Sequence, residues 1–277
     1  MNAALGILAC AVVVGLSACG IDTSAKAPEQ PVPPPPIALA GAVNKVADAD
    51  GNARYLGEIK NNGDVVACSL NLSINSYDAA GNALNDPSNS QFGFANLFGE
   101  TFRFSGFAPQ AQDNCLSPGR SGSFDISTKV RLTDIASFVV DIPCGKQQFY
   151  SGCIARDQPF VSPPASLVLD GAVTEGLTDD GRVVYTGVIR NQSETESAVA
   201  YHVKIVMTAK NADGLVVDVA CATIDGSVCP VPADANVANT SGLRPQDTWN
   251  FTVPLSISPS ETCPGCFSFV INQKLAL

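Results

Sequence analysis

The cysteine pair near the C-terminus, Cys263 and Cys266, has the spacing at which two thiols can do redox chemistry. Such a pair becomes reactive when the pKa of one thiol is lowered, which commonly happens at a helix N-terminus. Here the pair is followed by Phe267, Phe269 and Ile271, and this alternation predicts a strand instead of a helix. We therefore favour a structural disulfide and keep a thiol–disulfide redox function as the alternative. A zinc knuckle would need a second cysteine pair nearby, so we predict no metal here.

The single histidine of the chain, His202, is the second candidate for chemistry. One histidine excludes metal centres that need several, and it leaves a single base for any Ser-His-Asp arrangement. Strand alternation points its side chain away from the core, and the sequence has no serine in a strained turn nearby. We predict an exposed strand residue without a catalytic role.

Acidic residues supply the remaining candidates. Residues 48–52, Asp-Ala-Asp-Gly-Asn, resemble the start of a calcium loop, but Ile59 stands where such a loop carries its bidentate glutamate. We predict a hairpin turn there and at its counterpart, residues 178–181. Glu194 and Glu196 could work as acid and base only if held across a cleft, and we predict a solvated loop. The sequence therefore predicts a protein that is not an enzyme and carries no cofactor.

The elements around these candidates repeat. The tripeptide Gly-Ala-Val at residues 41–43 returns at residues 171–173, an offset of 130 residues. Further identities follow at this offset or after small changes in loop length: Gly51 with Gly181, Tyr55 with Tyr185, Gly57 with Gly187, Asn61 with Asn191, Gly81 with Gly214, Leu116 with Leu243, Pro118 with Pro245 and Phe124 with Phe251. An identity pattern that survives such changes predicts a duplicated domain.

Each copy has the pattern of strands. Side chains alternate in polarity along residues 68–75 and 201–208, as in strands with one face in a core. Asp-Gly and Ala-Gly-Asn turns separate the runs, and no stretch has a sustained helical period. We predict an all-β protein with two tandem antiparallel β-sandwiches, at residues 37–156 and 166–277, joined by a proline-containing linker at 157–165. The expected core positions are Cys68, Leu70, Leu72 and Ile74 in the first copy, and Tyr201, Val203, Ile205 and Met207 in the second.

Two segments of the first copy carry a resemblance to a known family. Residues 55–64 (Tyr-Leu-Gly-Glu-Ile-Lys-Asn-Asn-Gly-Asp) and 74–81 (Ile-Asn-Ser-Tyr-Asp-Ala-Ala-Gly) resemble the FxLYD type of bacterial immunoglobulin-like module. Residues 116–119 resemble the Pro-Gly before that family's next strand, and residues 187–191 keep its Gly-x-Ile/Val-x-Asn pattern in the second copy. The resemblance implies immunoglobulin-like sandwiches with an extracytoplasmic binding or spacing role and no catalytic site.

Phenylalanine concentrates in one region of the first copy, whereas the matching residues 221–243 of the second copy contain no aromatic side chain. The alternation of Phe102 and Phe104 predicts a strand that faces inward. The phenylalanines before them lie among glycine, asparagine and serine, which predicts a loop. Core packing and an exposed partner surface are both open for this region. The partner surface would be formed by Phe92, Phe94 and Phe98.

The first twenty residues resemble a bacterial lipoprotein signal. An apolar run, too short to span a bilayer comfortably, ends in Leu-Ser-Ala-Cys at residues 16–19. In that family the chain is cut between Ala18 and Cys19 and the cysteine is acylated, and Gly20 after it favours an outer membrane. We predict a signal peptide at residues 1–18 and a lipid on Cys19, with an ordinary signal peptide or an uncleaved anchor as the alternatives.

A proline-rich tether follows the predicted anchor. Six of the nine residues from Pro28 to Pro36 are proline, a composition that favours an extended polyproline II segment. Residues 19–36 would then hold the folded part away from the lipid.

The remaining cysteines and the charge indicate the compartment and the partners. Eight cysteines follow the tether, and an even set in an exported protein predicts disulfides whose connectivity the sequence leaves open. Spacing favours Cys144 with Cys153, Cys221 with Cys229 and Cys263 with Cys266, and leaves Cys68 with Cys115. A net charge of −10 argues against nucleic acid as a partner. The expected partners are the bilayer, through acylated Cys19, and an unidentified envelope protein or glycan. The expected location is the bacterial envelope, at an outer membrane facing the periplasm or the cell surface.

Overall fold

The computed structural model describes residues 37–68, 70, 72–84, 96–98, 100–104, 112–142, 154–155, 160–161, 165–226 and 242–274. Outside these residues lie the predicted signal peptide, Cys19, the tether, Phe92, Phe94, Cys144, Cys153 and Cys229. None of the described segments is a helix long and apolar enough to span a bilayer.

The first half of the described chain consists of short antiparallel strands. They are β1 (Ile37–Leu39), β2 (Asn44–Ala47), β3 (Asn52–Asn61), β4 (Ala67–Cys68), β5 (Ser73–Tyr77), β6 (Asn96–Phe98), β7 (Glu100–Phe104), β8 (Gln112–Cys115), β9 (Ser121–Arg131), β10 (Ser137–Asp141), β11 (Ile154–Ala155) and β12 (Phe160–Val161). The main sheet is built on β3, which pairs with β1, β2 and β9, and β6 pairs with β9. Smaller sheets are formed by β5 with β10, by β4 with β11, and by β7 with β8 and β12.

The second half repeats this plan, and most strands of one of its sheets are longer than any strand of the smaller sheets in the first half. They are β13 (Leu167–Leu169), β14 (Thr174–Leu177), β15 (Val183–Asn191), β16 (Ala200–Lys210), β17 (Val216–Thr223), β18 (Gly242–Leu243), β19 (Thr248–Pro254) and β20 (Phe267–Lys274). One sheet has β13, β14 and β19 paired with β15, and the other has β17, β18 and β20 paired with β16. The prediction of an all-β antiparallel fold is confirmed, since the only helical element in the described residues is a 3-10 turn at Leu132–Asp134.

Each half has its own hydrophobic core. Tyr55 and Phe124 of the β3 sheet pack on Leu70, Leu72 and Ile74 in the first half. In the second, the β15 sheet packs on β16 through side chains that include Tyr185, Phe251, Val203, Ile205 and Met207. The alternation therefore predicted Leu70, Leu72 and Ile74, and Val203, Ile205 and Met207, correctly. The prediction for Tyr201 is wrong, because this side chain is half-buried and does not belong to the second core. The first run is split, because the structure assigns strands to Ala67–Cys68 and Ser73–Tyr77 but not to Leu70 or Leu72.

One turn type, in which the N–H of the first residue also donates to the carbonyl oxygen four positions later, occurs four times in the described part of the chain. In each, the first residue accepts a hydrogen bond from the backbone N–H of the glycine three positions later: Gly51 to Asp48, Gly81 to Asp78, Gly181 to Thr178 and Gly214 to Asn211. These glycines have φ between 78° and 83°, the left-handed region that favours glycine. The turns predicted at residues 48–52 and 178–181 are therefore present.

Candidate functional site

Among the described residues, a set of polar contacts between residues distant in the chain lies where the two halves meet. Along β3, Tyr55 and Ile59 point into the first core, so strand alternation sends Arg54, Leu56 and Glu58 to the other face. That face packs against the outer faces of β16 and β17 of the second half. We call this contact the inter-half interface.

Apolar side chains form the centre of the interface. Leu56 packs with Val206, Val216 and Val219, and all four are buried. Val206 and Thr208 lie on the face of β16 opposite the second core. The sequence predicts only one buried face for β16, and this prediction is wrong, because the first half covers the other face.

Arg54 joins the two halves electrostatically. Its guanidinium donates to Asp125 of β9 at 2.9 and 2.7 Å and to Asp218 of β17 at 2.9 Å. Burial lowers the pKa of Arg54, but the hydrogen bonds and charges of Asp125 and Asp218 outweigh it and raise that pKa above its usual value. The arginine is therefore permanently charged in this position.

Asp218 is the most deeply buried charge in this group, with its side chain 2 % exposed. It is fully engaged: Oδ1 accepts from Arg54 and from the N–H of Val219, and Oδ2 accepts from the N–H and hydroxyl of Ser256 at 2.7 Å. A buried carboxylate needs such partners, because removing its cation leaves an uncompensated charge out of water.

Glu58 makes the second charged link between the halves. The ammonium of Lys210 donates to its Oε2 at 2.7 Å, and the hydroxyl of Ser268 donates to its Oε1 at 3.1 Å. Lys210 ends β16 and Ser268 lies near the start of β20, so one carboxylate holds two neighbouring strands of the second half.

Neutral hydrogen bonds complete the interface. The hydroxyls of Ser123 and Thr208 lie 2.5 Å apart, and the amide of Asn44 donates to the carbonyl oxygen of Val216 at 2.9 Å. The named residues of the interface are therefore held by packing, ion pairs and hydrogen bonds. The arrangement holds the two surfaces together.

His202 is less exposed than the sequence predicts. Its side chain is 14 % exposed, and Nδ1 lies 3.3 Å from a carboxylate oxygen of Asp225, so the prediction of an exposed side chain is wrong. The register between β16 and β20 shifts between Tyr201 and Lys204, and His202 has a φ of 48°. Such an irregularity turns a side chain out of the simple alternation.

The cysteine pair Cys263–Cys266 forms a disulfide, and so does Cys68–Cys115, two of the pairings that the sequence favours. Cys221 is also disulfide-bonded. The turn that contains Cys263 and Cys266 leads directly into β20, as the alternation of Phe267, Phe269 and Ile271 predicts. Among the described residues no helix N-terminus lies beside it.

The acidic candidates are turns and exposed loops. The backbone N–H of Asn52 lowers the pKa of Asp48, the side-chain amide of Asn82 lowers that of Asp78, and the hydroxyl of Thr178 lowers that of Asp180. Among the residues that the structure describes, no group of three or more ligating side chains could hold a metal ion. Glu194 and Glu196 are exposed, as the sequence predicts.

The phenylalanine region is described only in its backbone. Phe98 ends β6 and pairs with Ser123 of β9, so the prediction of a loop at Phe98 is wrong. Phe102 and Phe104 lie on β7, in agreement with the predicted strand. Of the proposed partner surface, Phe92 and Phe94 lie outside the described residues.

Sequence reasoning missed the interface residues Arg54, Glu58, Lys210 and Asp218. One signal was available: Leu56 and Val206 are apolar at positions where alternation predicts a solvent-facing side chain. An apolar side chain on an outer strand face indicates that something covers it.

No known protein-family model matches this chain, and no curated protein matches it in sequence.

Proposed function

We propose that this chain is a lipid-anchored protein of the bacterial envelope that presents two immunoglobulin-like sandwiches as one rigid, non-enzymatic binding or spacer module. The observation that carries the proposal is the interface around Arg54 and Asp218. A buried charge network between the two halves is what a rigid arm needs and what two freely jointed domains would lack.

The N-terminal residues support the anchoring part of the proposal. The resemblance of residues 16–19 to a lipoprotein signal supplies a membrane attachment at Cys19, and the proline run before Ile37 supplies an extended spacer. The resemblance of the first copy to FxLYD modules supports an extracytoplasmic role in binding or spacing.

The partner that we propose is an envelope protein or a glycan. The net charge of −10 makes phosphate backbones unfavourable partners, and aromatic side chains are common anchors of protein contacts. Phe92, Phe94 and Phe98 are therefore the first residues to test.

The anchor is tested by metabolic labelling with a palmitate analogue in the native host. We expect label on the wild-type chain and none on Cys19→Ser, which should also leave the membrane fraction. Label that survives in Cys19→Ser would contradict lipidation at this residue.

The rigid pairing is tested by carboxyl footprinting of the full chain with a carbodiimide and glycine ethyl ester. We expect Asp218 and Glu58 to react far more slowly than Asp180, whose side chain is 58 % exposed. Reaction of all three at similar rates would overturn the rigid module.

The partner surface is tested by crosslinking intact envelopes that contain the wild type or the triple variant Phe92→Ala, Phe94→Ala, Phe98→Ala. We expect the variant to keep its footprinting pattern and lose crosslinked partners. Unchanged partners would exclude this surface while leaving a spacer role in place.

A further inference from the structure

We propose that the Cys263–Cys266 disulfide is a redox-sensitive clasp that controls how firmly the two halves are held together. The inference rests on the rigid module proposed above, and it proposes that the redox state of this disulfide regulates the rigidity of that module. It gives the disulfide a conformational role, which differs from that of a thiol–disulfide enzyme.

The disulfide closes a turn that holds both backbone polar groups of Lys210. The N–H of Lys210 donates to the carbonyl oxygen of Cys266 at 2.8 Å. Its carbonyl oxygen accepts from the N–H of Cys263 at 3.3 Å and from the hydroxyl of Thr262 at 2.8 Å. Within the turn, the N–H of Cys266 donates to the carbonyl oxygen of Cys263 at 3.0 Å. The backbones of the two cysteines therefore bind the N–H and the carbonyl oxygen of Lys210.

Lys210 is also a charged contact between the halves. Its ammonium lies 2.7 Å from Glu58 of β3, and Ser268, which bonds the other oxygen of Glu58, comes two residues after Cys266. Both second-half partners of Glu58 are thus positioned by the disulfide-closed turn. A change in the conformation of the turn would therefore alter the contacts of Lys210 and Ser268 with Glu58 directly.

The turn is docked on the second half by one further contact. The N–H of Gly265 donates to a carboxylate oxygen of Glu175 on β14 at 3.2 Å. Gly265 has a φ of 74°, which a tight turn at this position requires and which glycine adopts without strain.

Exposure distinguishes this disulfide from the other described one. Cys263 and Cys266 are half-buried beside the exposed Pro264 and Gly265, whereas Cys68 and Cys115 are completely buried. Because exchange requires a thiolate to reach a sulfur atom, a reductant reaches the pair at 263 and 266 before it reaches Cys68–Cys115.

The reducing step needs a dithiol as the co-reactant. One thiolate of the dithiol attacks a sulfur of the Cys263–Cys266 bond and forms a mixed disulfide, and its second thiol then displaces the protein sulfur. The protein disulfide gains two electrons and two protons and becomes two thiols, while the dithiol becomes a disulfide. Without its crosslink the turn opens, Lys210 loses its backbone support, and its ion pair with Glu58 weakens.

The test is carboxyl footprinting of the full chain, with dithiothreitol as the dithiol and with the double variant Cys263→Ser, Cys266→Ser. We expect Glu58 in oxidised wild type to be protected, and both reduction and the double variant to raise its labelling rate toward that of Asp180. Dithiothreitol should add no further increase in the double variant. Asp170, which pairs with Arg190 inside the second half, serves as the internal control and should not change.

The outcomes separate the two proposals. If Glu58 and Asp218 are reactive in oxidised wild type, the rigid module itself is wrong. If they are protected there and Glu58 stays protected in the double variant, the clasp is wrong and the rigid module stands. Loss of the Trp249 emission of the folded chain would show that the double variant does not fold. In that case the wild type tests the clasp: mass spectrometry identifies which disulfide dithiothreitol has opened when the labelling of Glu58 rises. Labelling of Glu58 that rises only after Cys68–Cys115 or the disulfide of Cys221 opens would overturn the clasp.

Discussion

The two halves share an internal frame and differ on their outer faces. In both, a phenylalanine ring lies over a glycine of the central strand, Phe124 over Gly57 and Phe251 over Gly187. Asn61 and Asn191 close equivalent loops, each donating twice from its amide to backbone carbonyl oxygens. Tyr55 and Tyr185 each pack on a phenylalanine with ring centroids 4.9 Å apart, Phe138 in the first half and Phe267 in the second.

The outer faces have diverged. Arg54 and Glu58 of β3 correspond to Val184 and Val188 of β15. The charges that hold the interface are therefore replaced by apolar side chains at the equivalent positions of β15. The duplicated residues are those that each half needs for its own fold. The residues that differ are those that one half uses to hold the other.

The largest effect should come from the charge that only the first half has. Arg54→Ala leaves Asp218 buried without its cation and should lower the free energy of unfolding by about 3–5 kcal/mol. Denaturant unfolding followed by Trp249 fluorescence, in the second half, measures the loss.

The matched control for this prediction is Arg190→Ala. Arg190 and its partner Asp170 are 40 % and 39 % exposed, so the loss should be only about 0–1 kcal/mol. Equal losses for the two arginines would mean that the inter-half interface contributes nothing beyond a surface ion pair.

The next largest effect should be shared by the halves. A Cβ atom on Gly57 would lie 2.5 Å from the Phe124 ring, and one on Gly187 would lie 2.6 Å from the Phe251 ring. Gly57→Ala and Gly187→Ala should therefore each cost about 1–3 kcal/mol through overpacking. Thermal unfolding measures both, and a smaller residue at the phenylalanine should restore part of each loss. Widely different losses would show that the two frames are not equivalent.

The two tyrosines should separate the halves again. The hydroxyl of Tyr55 lies 2.6 Å from that of Ser76, whereas Ala209 stands at the Ser76 position of the second half. Tyr185 is buried, and within the described part of the chain its hydroxyl makes no well-formed hydrogen bond, because the nearby Thr262 hydroxyl donates to the carbonyl oxygen of Lys210. Tyr55→Phe should cost about 1–2 kcal/mol because it leaves the Ser76 hydroxyl buried alone, while Tyr185→Phe should cost nothing.

Denaturant midpoints of the two variants decide this prediction. A further variant, Ala209→Ser, offers Tyr185 a partner and should remove part of the difference between the halves. A loss from Tyr185→Phe as large as that from Tyr55→Phe would contradict the reasoning.

The smallest effect at neutral pH concerns the titration of Tyr185. Burial, helped by the charge of Glu175, raises the pKa of Tyr185 to about 12. The folded chain then keeps this proton to higher pH than the unfolded chain, so the associated stability is complete below pH 10 and is lost as the pH rises toward 12. Unfolding midpoints measured from pH 8 upward should fall less steeply in Tyr185→Phe than in wild type. An unchanged slope would contradict this assignment.

Much of the fold was predictable because its signals are local. The alternation at residues 68–75 and 201–208 identified most of the core side chains, with Tyr201 as the exception, and the Gly51 and Gly181 turns follow from the need for positive φ. His202 was mispredicted because a bulge depends on how β16 pairs with β20. The strand at Phe98 was missed for a similar reason, since its pairing with β9 is formed by residues distant in the chain.

The candidate site was much less predictable than the fold. Arg54 and Asp218 are 164 residues apart, and neither belongs to a motif. In the sequence each is an ordinary charge on a strand, and only packing of the halves turns them into a buried pair.

The sequence by itself therefore determined the strand faces, the repeated turns and the duplicated frame, because alternation and glycine chemistry act within a few residues. The tertiary structure decided which outer face is covered and which charges lose their water. Which strand face is covered depends on how two sheets pack together. Strand periodicity predicts the face on which a side chain lies, but it does not predict which residues pack against that face.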